Sequence, residues 1–383
     1  MIENNAAGRG HPPRRVLFVF AWLVVGGEET EVRLLATHLD PTRYQIEVVV
    51  CFRKIGMPEQ THDQLAALGV PVDTTPYSLS FEQTVAYLAK KMPPYDLVVA
   101  CQAVRDVYPA LDLVAPGSRP PLIEHGGLVA EALSGPKHRT ARYVGVCRSI
   151  QEAAAARMPA RPQHALEIPS MVDLNEFDPT QRTAVRHELG LDVRTPLIGW
   201  VGRLDRKKRV EDFIRAAALV RRSCPLARFV VVGGPDAFMP EYAEELRALT
   251  TALGLDGVLR FLGDRPDVPR LLAGLDVFVW LSRDEGMPHV ITEAGAASLP
   301  VVATRDNGTN QQIEENVSGL FVPHQAPDAV ATAIVHLLED RDLARRLGAT
   351  LRRKVEHEYS AVAVVRRWEA LFDEILAEAR ITP

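Results

Sequence analysis

The run Ser282-Arg-Asp-Glu-Gly-Met-Pro-His-Val-Ile-Thr-Glu-Ala-Gly-Ala-Ala-Ser-Leu-Pro-Val-Val-Ala-Thr304 is entered from the apolar segment Asp276-Val-Phe-Val-Trp-Leu281. A short apolar run bounded by polar turns reads as a buried strand. Pro288 suits the first turn of a helix, where its missing N–H has no intrahelical partner to lose, and Leu299-Pro300 ends that helix. Glu285 then falls in the loop, and Glu293 about a turn and a half into the helix, roughly 9 Å along its axis at 1.5 Å per residue. Between the two carboxylates, the N–H groups of Gly286 and Met287 lead into a positive helix end, a place for an anion or a row of hydroxyls.

A ligand matching that layout carries a diol at each end and negative charge in the middle, because an ionised carboxylate accepts two hydrogen bonds at once. A nucleotide sugar has this order: ribose, diphosphate, hexose. A helix with one carboxylate near its start and another on a solvated face would give the same spacing, so the surrounding residues carry the reading. The run E-G-M-P-x4-E-A-x-A-A-x-x-P-V-V-A resembles the signature of the retaining glycosyltransferases of family 4, in which two glutamates are separated by seven residues. The resemblance implies that Glu285 contacts sugar hydroxyls, that Glu293 contacts the ribose, and that Gly286, Met287 and Pro288 line the donor site.

Outward from this run the chain alternates. Tyr44–Cys51, Tyr95–Cys101, Pro121–His125 and Tyr143–Cys147 read as buried strands, with helices at Gln60–Leu68, Phe81–Met92 and Ser149–Met158 between them, the pattern of a parallel sheet covered on both faces. The order strand, glycine, helix at residues 16–39 returns at Leu197–Val201, Gly202-Arg203 and Val210–Val220. Two such halves predict an α/β protein of two facing Rossmann-like domains, the GT-B architecture of the family. Ligands of open parallel sheets bind beyond the carboxyl ends of the strands, here in the cleft between the domains. The expected division is a disordered tail at 1–13, an acceptor-side domain at 14–190 and a nucleotide-sugar domain at 191–358. A C-terminal helix at 359–383 completes it, crossing back onto the first domain as in family members.

Gly202-Arg-Leu-Asp-Arg-Lys-Lys208 follows a strand and opens a helix, which brings cations to the cleft. Breaking a sugar–phosphate bond leaves a doubly ionised diphosphate, and fixed positive charge stabilises it most as that charge develops. The run resembles the family's G-R-x4-K-G with Arg203 and Lys208 on the matching positions, while Arg209 stands where glycine is usual, leaving open whether Lys207 or Lys208 makes the contact. Gly26-Gly27 lets backbone approach a diphosphate and resembles the family's first loop, with Glu28 where neutral residues are commoner. His125 precedes a glycine loop and matches a family histidine that contacts the transferred sugar. Gly233 in Val231-Val-Gly-Gly-Pro-Asp236 and Arg265 in Phe261-Leu-Gly-Asp-Arg265 match donor-binding turns. Gln311 replaces a common glutamate.

With 383 residues, a net charge of -5 and a pI near 6.2, the chain offers no basic field for nucleic acid. Cys51, Cys101, Cys147 and Cys224 are widely spaced and read as thiols of a reducing compartment. Arg14 to Val25 has the look of a signal peptide without its cleavage site, and no run reaches the roughly 18 apolar residues of a membrane span. The expectation is a cytoplasmic protein that uses no metal and no cofactor beyond its nucleotide-sugar donor. The acceptor is a hydroxyl of a sugar, glycolipid or small molecule, and peripheral contact with a membrane's inner face stays open. No G-x-G-x-x-G supports a nicotinamide enzyme, and the D-x-D at Asp340–Asp342 lies in a helix-rich segment, away from any strand end that would hold a divalent ion. An epimerase of the same architecture, or a silent sugar-nucleotide binding module, would share these motifs.

Overall fold

Within Arg14 to Val25, which has the outline of a signal peptide, residues Arg14–Trp22 fold as an interior strand of the first sheet. The computed structural model describes residues 12–381, so the expected tail lies largely outside the described residues. The strands of the first sheet are β1 (Arg14–Trp22), β2 (Tyr44–Phe52), β3 (Val72–Asp73), β4 (Leu97–Cys101), β5 (Leu122–Gly126), β6 (Thr140–Gly145) and β7 (Ala165–Glu167). They run parallel in the order β3-β2-β1-β4-β5-β6-β7. Residues 16–20 of β1 are buried on both faces, which is why they read as an uninterrupted apolar run.

The second sheet holds β8 (Leu197–Val201), β9 (Arg228–Val232), β10 (Leu259–Phe261), β11 (Val277–Trp280), β12 (Val301–Thr304) and β13 (Leu320–Val322). They too are parallel, in the order β10-β9-β8-β11-β12-β13. In each sheet the chain starts in the middle, winds to one edge and returns to the other side of its first strand. The reversal points lie between β1 and β4 and between β8 and β11, where a crevice opens beyond the strand ends.

The expected domain boundary at 190/191 falls just after a short helix. The helix Arg182–Glu188 packs on the second domain: Arg186 is fully buried and reaches Gly274 O at 3.0 Å and Asp276 Oδ2 at 2.6 Å. Its guanidinium also donates to the carbonyls of Val193 (3.1 Å) and Thr195 (2.6 Å), which pins residues 191–196 in place. The crossover is the earlier stretch around Val172, which exchanges backbone hydrogen bonds with Tyr359 (2.9 Å) and Ala361 (2.8 Å) at the start of the last helix.

That helix, Ala361–Ile381, crosses back as expected. Val364, Val365, Trp368, Leu371, Phe372 and Ile375 join the core formed by β1, β2 and β4 of the first domain. Sequence reading did not anticipate the helix Val104–Leu113, which carries Pro109 inside it.

Candidate active site

The loop after β11 and the loop after β8 are clipped together. Arg283 N donates to Lys207 O at 3.0 Å, with Ser282 Oγ 3.3 Å from the same oxygen, while Glu285 N donates to Asp306 Oδ2 at 2.7 Å. Asp284 adopts φ 57°, which turns Glu285 back toward the lysines. Glu285 Oε1 accepts from Lys208 Nζ at 2.6 Å and from Ser282 Oγ at 2.7 Å, with Lys207 Nζ at 3.7 Å. Burial opposes ionisation of Glu285, but Lys208 and Lys207 outweigh it and hold its carboxyl below the ordinary range. Burial lowers the Lys208 ammonium in turn, only partly offset by Glu285, and Lys207 adds to the lowering.

Arg209 gives a physical account of the departure from the family pattern. Its φ of 55° is left-handed, the conformation that favours glycine at this position. Salt bridges to Glu211 (2.7 Å) and Asp212 (2.9 Å) offset the roughly 1–2 kcal/mol that a side chain costs there. Below the loop, Trp200 and Trp280 stack at 5.7 Å, and Lys208 Nζ lies 5.1 Å from the Trp280 ring centre. Arg203, about a third exposed, places Nε 2.8 Å from Asp236 Oδ2. A Cβ on Gly233 would collide with Gly202 O, so the strand-end turns after β8 and β9 approach backbone to backbone.

Facing these cations, the first domain presents carboxylates. Gly26 precedes the helix Gly27–His38, and a Cβ on Gly27 would come within 3.0 Å of His289 Cδ2 from the other domain. Glu29 Oε1 accepts from Val24 N at 3.1 Å, and burial pushes the Glu29 carboxyl up to about 7. Glu31 accepts from Trp368 Nε1 at 3.1 Å, lies 3.7 Å from His289 Nε2, and is pushed by burial to about 8. Glu131 Oε2 accepts from the N–H groups of Gly127 (2.9 Å) and Leu128 (3.1 Å).

His125 ends β5 beside Cys101, its register partner on β4, and packs edge-on to Trp368 with ring centres 5.5 Å apart. Its Nδ1 lies 3.9 Å from Glu28 Oε1 and its Nε2 has no hydrogen-bond partner. Burial, with His289 adding to it, lowers its pKa to about 4, so the ring is neutral near pH 7. Glu28, Cys101 and His125 each offer a ligand atom within 4.8 Å of the others. A thiophilic ion would need the Cys101 thiolate, and burial together with Glu28 pushes that thiol well above its ordinary value.

The expected residues do not all converge. Arg203, Lys208, Glu285, Gly286 and Met287 gather at the second-domain strand ends, with Gly26, Gly27 and His125 opposite. Pro288 immediately precedes the helix His289–Ala296 rather than beginning it. Glu293, half-buried on that helix, is pushed to about 7 by burial, then by Glu176, against the pull of Arg33. Arg265 is held by Asp267 at 2.7 Å and Glu188 at 3.0 Å, so its guanidinium is occupied by ion pairs. His289, which the sequence left out of the site, sits at the domain contact. The wall formed by Glu29, Glu31 and Glu131 went unread because an acidic helix start is ordinary in sequence.

The domains meet through Gly286, where a Cβ would collide with Gly127 O, and Ser170 Oγ donates to Met287 O at 3.2 Å. Gln311 bridges them as well: Oε1 accepts from Arg148 N at 2.7 Å and Nε2 donates to Glu167 Oε1 at 2.9 Å. A glutamate here could accept the first bond but could not donate the second.

Comparison with known proteins places this geometry. The model of the family described as glycosyl transferases group 1 matches residues 181–354. The chain is 36% identical over 177 residues to a D-inositol 3-phosphate glycosyltransferase of Corynebacterium urealyticum, covering 44% of this chain and 42% of that protein. It is 32% identical over 222 residues to a GDP-mannose-dependent alpha-(1-6)-phosphatidylinositol monomannoside mannosyltransferase of Mycobacterium tuberculosis, covering 55% of this chain and 54% of that protein. The chain thus spans about half the length of the curated relatives it matches. In fold, Anabaena Alr3699/HepE, solved with UDP and glucose, superposes with a TM-score of 0.81 at 21% identity over 94% of this chain and 100% of that one. Sucrose-phosphate synthase from Thermosynechococcus elongatus gives 0.75 at 20% identity, over 95% of this chain and 100% of that one. Two facing parallel α/β domains and the matched strand-end motifs agree: residues 181–354 match the model of the group 1 glycosyl transferases, and the chain as a whole shares the GT-B fold of the superposed structures.

Proposed function

We propose that the protein transfers a hexosyl unit from a UDP- or GDP-linked sugar to a hydroxyl acceptor, with retention at the anomeric carbon and without a required metal. The observation that carries this is the cluster of Arg203, Lys207 and Lys208 beside Glu285, at the strand ends facing the first domain. Cations fixed before reaction stabilise the diphosphate as its charge grows, without the reorganisation that water would need. Lys208, buried and anchored, supplies that charge closest to the hexose, and Arg203, with a third of its side chain exposed, reaches the outer phosphate. Glu285, kept ionised, accepts hydroxyls of the transferred sugar. His125, neutral and with Nε2 unpartnered, hydrogen-bonds another. Glu293 takes the ribose from the helix behind. The relatives' names, a glycosyltransferase and a GDP-mannose-dependent mannosyltransferase, support a sugar-nucleotide donor. Four unpaired thiols fit a cytoplasmic setting. Among the described residues no helix is long and apolar enough to cross a membrane.

The test is turnover of UDP- and GDP-hexoses with and without acceptor, followed by NMR at the anomeric proton, in buffer containing a chelator. The expected outcome is glycoside of unchanged anomeric configuration at an undiminished rate. Donor isomerised without acceptor would point to an epimerase, and binding without turnover to a silent module. Activity lost in chelator and restored by a divalent ion would remove metal independence and direct attention to Glu28, Cys101 and His125.

A further inference from the structure

Glu28 has no evident structural duty. Unlike Glu29, which holds Val24 N, and Glu31, which holds Trp368, neither oxygen of Glu28 has a hydrogen-bond partner, although the residue is only 7% exposed. Gln102 eases its ionisation without making a well-formed bond to it. Two further polar atoms in this region are buried and unpartnered, His125 Nε2 and Tyr143 Oη, and the Tyr143 hydroxyl packs where a Cβ on Gly126 would be. Burial, and after it the neighbouring Glu131, Glu29 and Glu31, pushes the Glu28 carboxyl well above its ordinary value. The buried cations Lys137 and Arg142 of the first domain are already committed, to Glu124 at 2.7 Å and to Glu374 at 2.6 Å.

Buried carboxylates side by side without a counterion are costly, and the cost is relieved by a proton or by a cation. The donor cannot bring that relief, since its diphosphate belongs to Arg203 and Lys208 on the opposite wall and would be repelled here. A neutral polyol would satisfy hydrogen bonds but do nothing for the crowding of acidic groups along this wall. A phosphorylated acceptor would worsen it.

Building on the glycosyltransferase reading, we propose that Glu28 is a specificity-determining residue that selects an acceptor carrying a protonated amine near its receiving hydroxyl, and that this wall excludes phosphorylated acceptors. The ammonium sits against Glu28 with Glu131 beyond, and His125 and Tyr143 supply the remaining polar contacts. The inositol phosphate named for the relatives in the preceding comparison is thereby an unfavourable acceptor for this chain.

The test is calorimetry in the presence of UDP or GDP, using glucosamine and an aminocyclitol, each against its N-acetylated form, with inositol phosphate as the anionic probe. A charge-assisted hydrogen bond predicts that each amine binds about tenfold or more tightly than its acetylated partner, and that the phosphate binds weakest. Glu28→Gln, which preserves shape, should bring amine and acetamide to within about threefold while leaving the thermal shift by UDP or GDP intact. Equal affinities in the unmodified protein, preference for the phosphate, or no binding of either amine at millimolar concentration each overturns the proposal, and none of these needs the variant to fold. A persistent nucleoside diphosphate shift alongside such a failure leaves the transferase reading standing. Absence of that shift in the unmodified protein removes both.

Discussion

Lys207 and Lys208 are neighbours in sequence with opposite fates. Lys208 bonds Glu285 at 2.6 Å beneath the loop, whereas Lys207 stays at 3.7 Å and more than twice as exposed, 31% against 13% for the side chain. The left-handed Arg209 fixes this register, because the turn needs its glycine-like position directly after the buried lysine. Lys208→Ala is therefore expected to lower kcat by about 10²- to 10³-fold, as for loss of one preorganised oxyanion donor, with Arg203→Ala in the same range and donor affinity affected less. Lys207→Ala should cost under tenfold by comparison. Steady-state kinetics on the three variants checks it, and a silent Lys208→Ala beside a crippled Lys207→Ala would reverse the assignment.

At the scale of elements, the contact between the loop before the helix His289–Ala296 and the loop after β5 is made of backbone. Gly127, Gly286 and Gly308 pack successively, and a Cβ at Gly286 or Gly308 would lie far inside contact distance of the next backbone. Excluding side chains here brings the loop that carries Glu285 against the loop that follows His125. Gly286→Ala should push the loops apart, and a displacement of about 1 Å can cost on the order of 10²-fold in kcat/KM. Nucleoside diphosphate affinity should hold, since the side chains proposed to bind that ligand stand on the second domain. Kinetics and calorimetry on this variant separate the two, and an unchanged kcat/KM would mean that the contact is not part of the working geometry.

For the whole molecule, the domain contact stores buried acids and buried histidines whose titrations oppose one another. Glu29, Glu31 and Glu293 have carboxyls raised by burial from 4.5 to about 7, 8 and 7, so the folded state binds protons that the unfolded chain releases. Their contribution is fully present below 4.5 and lost as pH rises through 7 to 8. His125 and His289 are lowered by burial from 6.5 to about 4, so stability from them is present above 6.5 and lost as pH falls toward 4. Between pH 6.5 and 8 only the glutamates act, and the ligand-free protein should lose thermal stability across that window. Glu31→Gln should flatten the decline. Melting temperatures taken in half-unit steps test it, and a curve that rises over the window would contradict the sign.

Much of the fold could be read locally. Buried parallel strands advertise themselves as apolar runs, glycines mark the turns where backbone must approach closely, and the order strand, glycine, helix occurs twice. Glu285, Lys208 and His125 could be placed at strand ends for the same reason, since each follows directly from its own strand and loop. Partnership between distant residues had no local signal. The pairing of Lys208 with Glu285 spans 77 positions, the docking of Trp368 on Glu31 spans 337, and the helix Arg182–Glu188 joined the second domain because Arg186 found Asp276. Arg265 could be placed in a strand-end turn, but not the pairing of its guanidinium with Asp267 and Glu188, and Glu28 could be seen to stand where neutral residues are commoner, but not that burial would leave it without a hydrogen-bond partner. Sequence determined which backbone elements form and which residues stand at their ends, because hydrophobic period and turn chemistry act over a few residues. Tertiary structure alone decided which charges meet and which are left uncompensated, because burial and pairing depend on what other segments bring into the same space.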